Sequence, residues 1–177
     1  MIAAADRLFS GRGFDATTIR DIAEASDVSV GTVIAVGDKN SLLVQVFDAL
    51  IEEEHVLRSG PVAEKPDSCS EQIMCLVKPF VALYTSRQDL ARVYASILVS
   101  GNSPSTLFTS LASLLVSEIR TVITQHGCVQ HEFVDATVEA IYFAYIGTLF
   151  SWSAREVADD AELNESLRAT FAAICNC

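Results

Sequence analysis

The sequence predicts an all-α protein: an N-terminal three-helix unit built around a helix-turn-helix, followed by a larger helical region. Three observations carry this. Apolar residues recur every three to four positions along most of the 177 residues. The breaks between the runs hold cap and turn residues such as Thr18, Ser29, Asp38, Gly101 and Gly127. No stretch alternates convincingly as a half-buried strand, and no repeat or low-complexity tract occurs.

Residues 2 to 11 predict a first helix with Ile2, Ala5, Leu8 and Phe9 on one side; Gly13 and Phe14 then turn the chain, with Phe14 expected to plug the small core. Thr18 is a cap with Asp21 in the capping-box position, and Ile19, Ile22 and Ala23 share a helical face. Ser26, Asp27, Val28 and Ser29 break that pattern. Val28 is expected as the apolar plug of the turn and Ser29 as the cap of a short second helix, 30 to 36, with Gly31 and Thr32 in its first turn. Asp38 caps a long helix over 40 to 58, carrying Leu42, Leu43, Val46, Phe47, Leu50 and Ile51.

Gly60, Pro61 and Pro66 mark a loop over 59 to 68. Helices are predicted over 69 to 86, kinked near Pro79, and over 88 to 100. Ser103 and Pro104 signal the start of another, ending at Gly127. Two final helices span about 132 to 157 and 160 to 174.

Composition limits the functions. Half the residues are hydrophobic and 20% are charged, enough for a substantial core. A net charge of -11 argues against a nucleic-acid-coating role, though not against a small reading face. Even the first 48 residues set Arg7, Arg12, Arg20 and Lys39 against seven acids. The five cysteines are an odd number and no secretory pattern opens the chain, so reduced thiols and a cytoplasmic location are expected. The uncharged run 93 to 117 is interrupted by Gly101 to Pro104, and 140 to 154 is too short to span a bilayer, so no membrane association is expected.

The stretch Thr17 to Lys39, with the preceding helix and Gly-Phe corner, resembles the DNA-binding domain of TetR-type (TetR/AcrR) transcriptional regulators. The resemblance covers residues 1 to about 48 at motif level and the rest by length and helical pattern. It implies a helix-turn-helix DNA-binding domain over 1–48 and a helical effector-binding and dimerisation domain over 49–177. It further implies a ligand-responsive regulator, most simply a repressor released from a double-stranded operator by a small apolar or aromatic molecule. The recognition helix departs from the family's pattern. VGTVIAV lacks the basic or polar group expected at Val30, the tyrosine at Ile34 and the histidine before a phenylalanine, and it looks one residue short. Thr17, Thr18, Arg20, Ser29, Val30, Gly31, Thr32 and Lys39 are left as DNA-contact candidates. A cation in a helix's first turn opposes the macrodipole, so Lys39 invites an anion such as phosphate. The alternative is a TetR-like fold that has lost DNA binding and serves as a small-molecule or protein-binding module.

In the family, the middle of the chain encloses the effector. Phe80, Tyr84, Tyr94, Phe108, Tyr142 and Phe143 are the candidates here, tyrosine hydroxyls being able to orient a guest. The family's last two helices pair with their copies in a second subunit. Here the small stripe Thr137, Ala140, Ala144, Gly147, Ser151 and the seam Leu163, Leu167, Phe171, Ile174 suit such a homodimer. His126, Cys128, His131, Glu132 and Asp135 crowd one turn but match no standard zinc spacing, so no metal or cofactor is expected. No phosphate loop, nucleophile elbow or acid/base constellation points to an enzyme.

Overall fold

The computed structural model of the chain describes residues 1–57, 66–101, 103, 105, 110–155 and 159–175. Among these the elements are α1 (Ile2–Arg12), α2 (Ile19–Ala25), α3 (Val30–Val36), α4 (Lys39–Leu57), α5 (Cys69–Thr85), α6 (Gln88–Ser100), α7 (Ser110–His126), a 3-10 turn at His131–Phe133, α8 (Val134–Ser153) and α9 (Asp160–Cys175). All are helical, as the periodicity requires.

The predicted caps hold. Thr18 and Asp21 form a reciprocal capping box on α2, and the Ser29 hydroxyl accepts the Thr32 amide on α3. The Asp38 carboxylate accepts the Ser41 amide at 2.7 Å. Gly13, Gly101 and Gly127 close α1, α6 and α7 with positive φ, where a side chain would be strained. Gly37 serves differently. A Cβ there would stand 2.7 Å from the Ser41 Cβ, so the tight passage from α3 into α4 requires glycine.

In the N-terminal unit, α1 and α4 pack across the helix pair α2–α3, burying Ala5, Phe9, Ile22, Ala23, Val33, Leu42, Leu43 and Phe47. Val28 does not plug the turn. It is 37% exposed, while Asp27 takes a left-handed conformation and Val33 fills the space against α2. Phe14 is half-buried against Phe9, with ring centroids 5.3 Å apart.

α4 then leaves this unit and enters the second, where Ile51 packs towards α5. α5 continues through Pro79 to Thr85. α8 lies in the middle of the larger bundle, against α6, α7 and α9. Its bulky stripe of Val138, Tyr142, Tyr145, Leu149 and Trp152 is buried within the subunit. Residues 131 to 153 are long and apolar enough to cross a membrane by length and composition, but neighbouring helices cover this stripe. The α9 seam of Leu163, Leu167 and Phe171 is likewise buried within the chain, against α5 and α8. Part of the small stripe faces outward with Phe143: Ala140, Gly147 and Ser151 are exposed, and Thr137 and Ala144 are half-buried. α8 is shorter than expected, beginning after the 3-10 turn and ending at Ser153, whereas α9 runs from Asp160 to Cys175, close to its expected bounds. Pro104 and residues 106–109, where the sequence placed the start of a helix, lie outside the described residues.

Candidate nucleic-acid interface and interior cavity

α3 is held by a single buried residue, Val33, with no exposed surface. Complete burial of a valine contributes roughly 1.5–3 kcal/mol, enough to seat a seven-residue helix whose other side chains face out. Val30, Ile34 and Val36 are 39%, 61% and 42% exposed, forming an aliphatic ridge beside Thr32. The Thr32 hydroxyl is 2.8 Å from that of Ser29, so the two cap groups share one hydrogen bond at the helix start. A Cβ at Gly31 would meet only the Ser29 hydroxyl, at 3.7 Å, so internal packing does not demand glycine there. The N-terminal amides of such a helix suit a phosphate oxygen.

Two of the candidate contacts are internal instead. Thr17 is fully buried, and its hydroxyl donates to the Gly13 carbonyl at 2.8 Å and towards that of Leu8 at 3.3 Å. It fastens the α1–α2 corner and offers DNA nothing. Lys39 donates to the Phe14 carbonyl at 3.0 Å with its ammonium 4.3 Å from the Phe14 ring centroid. A carbonyl and an aromatic face thus account for a cation in this first turn without an outside anion. Thr18, Arg20, Ser29, Val30, Gly31 and Thr32 are exposed. Thr18 holds the Asp21 carboxyl below its usual range through side-chain and backbone hydrogen bonds, opposed by slight desolvation and aided by Arg12.

Of the aromatic candidates, Phe80, Tyr84, Tyr94 and Tyr142 are buried together, whereas Phe143 is 66% exposed and belongs to the outer face of α8. Phe108 lies outside the described residues. Tyr94 stacks on Phe47 with centroids 4.3 Å apart, and its hydroxyl donates to Asp48 at 3.3 Å. The Tyr84 hydroxyl donates to the Ala91 carbonyl at 3.2 Å. Burial pushes both phenols above their ordinary range. Tyr142 differs: its hydroxyl is buried with no partner among the described residues. It lines a cavity of about 30 Å³ with Ile51, His55, Phe80, Leu115 and Ile146. A second cavity of about 20 Å³ lies beyond, lined by Tyr84, Tyr94, Leu149 and Phe150.

Residues 1–35 match the sequence family described as bacterial regulatory proteins, tetR family. The match takes in α1, α2 and most of α3. No curated protein matches it in sequence. The fold of the whole chain is similar to solved TetR-type structures. One is a TetR transcriptional regulator from Rhodococcus sp. RHA1, 15% identical, covering 98% of this chain and 91% of that one, with a TM-score of 0.65. Another is Thermus thermophilus FadR, a TetR-family transcriptional repressor in complex with lauroyl-CoA, at 21% identity, coverage of 98% and 90%, and a TM-score of 0.67. Mycobacterium smegmatis BioQ is 22% identical, with coverage of 99% and 93% and a TM-score of 0.58.

Two polar ties join the N-terminal unit to the helices behind it. Asp48 on α4 accepts from Tyr94 on α6 and from Ser105 at 2.9 Å. Arg87, just before α6, pairs with Asp6 on α1 and donates to Ser10 at 2.9 Å. Neither tie was visible in the sequence, where their partners lie 46 and 81 positions apart. His55 was also missed as a cavity residue, because it follows three glutamates and reads as part of a solvated face.

Proposed function

We propose that the chain is a ligand-responsive, DNA-binding transcriptional regulator: a homodimeric repressor that leaves its operator when a small apolar molecule enters the cavity beside Tyr142. The observation that carries this is the course of α4. Its first half buries Leu42, Leu43 and Phe47 in the helix-turn-helix core, and its second half brings Ile51 and His55 to the cavity wall. Our division at residue 48 therefore falls within one rigid helix. The cavities are far below the roughly 300 Å³ of a typical ligand site. A guest must spread α4, α5, α7 and α8, and displacing α4 moves α3. Two recognition helices that must meet half-sites about 34–36 Å apart tolerate little of that. The Thermus FadR structure, bound to lauroyl-CoA, supports an elongated apolar guest. Exposed Ala140, Phe143 and Gly147 on α8 offer the face for a second copy, beside an open groove of about 370 Å³ between α8 and α9. The protein acts in the cytoplasm and catalyses nothing in this reading.

The test is selection of bound duplexes from a randomised library at low salt, then titration of the selected complex with lauroyl-CoA and free medium-chain fatty acids. Release of a defined palindromic duplex is the expected result. Failure to select any duplex rejects DNA reading. The aliphatic ridge of Val30, Ile34 and Val36 then favours the second reading, a module that docks a protein partner through α3.

A further inference from the structure

The α7–α8 turn brings a sequence-distant cysteine to the histidine and cysteine it carries. Cys69, His126 and Cys128 place two sulfurs and a ring nitrogen within 4.8 Å of one another. We propose that these three residues bind a thiophilic transition-metal ion, Zn²⁺ in the first instance, and clamp the start of α5 to the α7–α8 turn. Within the sequence, His126, Cys128, His131, Glu132 and Asp135 match no standard zinc spacing, and Cys69 lies outside that run. In the fold His131 is exposed and Asp135 pairs with Arg120, while Cys69 arrives from 59 positions away.

The geometry is near that of an ion's coordination shell. The sulfurs are 3.5 Å apart, well beyond a disulfide's length of about 2.05 Å. Tetrahedral zinc with Zn–S bonds of about 2.3 Å sets two thiolates about 3.8 Å apart. The histidine is oriented as well. Its Nε2 lies 3.0 Å from the Asp67 carbonyl, which can only accept, so Nε2 carries the proton. Nδ1 is then the lone-pair nitrogen, and it is buried without a partner among the described residues. A backbone carbonyl holding the far nitrogen is the usual support of a metal-bound imidazole. Cys69 is the first residue of α5, where the helix N-terminus favours a thiolate. Binding releases two thiol protons, and two thiolates neutralise the dication in this partly buried setting. Three protein donors leave a fourth position for water or another ligand.

The test uses the full chain, freed of metal and kept reduced. Titration with Co²⁺ should release two protons per ion and give a thiolate-to-cobalt charge-transfer band saturating at one ion per chain, and Zn²⁺ should then displace the Co²⁺ with no further proton release. Because Cys69 is in the core, the decisive variants are Cys128→Ser and His126→Gln, the latter keeping a donor for Asp67. Each should weaken Zn²⁺ binding by about 100-fold or more, at least the loss seen on removing an outer-shell partner. Cys75→Ser, Cys177→Ser and His131→Asn should leave it unchanged. No band, a band surviving Cys128→Ser, or loss of binding in Cys75→Ser or Cys177→Ser would overturn the site. So would isolation of the chain with a Cys69–Cys128 disulfide, if Co²⁺ still failed to bind once that bond had been fully reduced. None of these outcomes depends on DNA binding.

Discussion

Tyr142→Phe should make the protein more stable. A buried hydroxyl without a partner costs about 1–3 kcal/mol, and that of Tyr142 has none among the described residues. Phenylalanine keeps the ring and removes the polar atom. The added void of about 10 Å³ costs only about 0.2 kcal/mol. The net gain is about 0.8–2.8 kcal/mol, raising Tm by roughly 2–11 °C in a chain of this size. Tyr84→Phe is the matched control with the opposite sign. It deletes the 3.2 Å bond to Ala91, worth about 0.5–1.5 kcal/mol. Calorimetric melts of the three proteins without effector decide the matter. The same variant should bind a hydrogen-bonding effector more weakly, because the freed hydroxyl is the group such a guest would meet. Loss of stability in Tyr142→Phe, matching that of Tyr84→Phe, would refute the idea that this hydroxyl is held in reserve.

Lys39→Ala should lower Tm through loss of the Phe14 contacts, whereas Arg20→Ala should leave Tm unchanged. In salt titrations of DNA affinity, Arg20→Ala should make the dimer's slope shallower by about 2, one phosphate per subunit. Thr32→Ala should instead flatten sequence preference in the duplex selection. Gly147→Leu points into open space in the single chain, so light scattering should show it as a monomer that keeps its helical circular dichroism, with Tm lowered by loss of the partner subunit. Asp21 and Asp38 titrate below their ordinary range because amide and hydroxyl hydrogen bonds favour their ionised forms. Their contribution is therefore present above a pH of about 4 and lost as pH falls through the lowered values. Asp21→Asn with Asp38→Asn should flatten the acid limb of Tm against pH.

The caps were legible because a cap is a local device: Thr18, Ser29 and Asp38 each accept from an amide three residues ahead. Glycine at an α-helix's end is read on the same short range. Lys39 shows where that reading stops. Its charge and helix position were plain, but its partner is Phe14, 25 residues earlier, and only the folded corner brings them together. Thr17 looked like a surface residue because it adjoins the capping threonine, yet the α1–α2 corner turns it inward. The proximity of Cys69, His126 and Cys128 is hidden for the same reason: two of them are two positions apart in the chain and the third is 57 or more away. Apolar periodicity placed the α9 seam without saying which partner covers it, and α5 and α8 of the same chain do so.

The seating of α3 on Val33 alone has a practical consequence for altering what this protein reads. With Val33 buried and Gly37 fixing the passage into α4, the length and tilt of the helix cannot drift. Val30, Thr32, Ile34 and Val36 support no core, so their replacement by arginine, asparagine or glutamine carries little penalty in folding. A library confined to those four positions would explore new base preferences on an unchanged scaffold, with the helices behind it left intact.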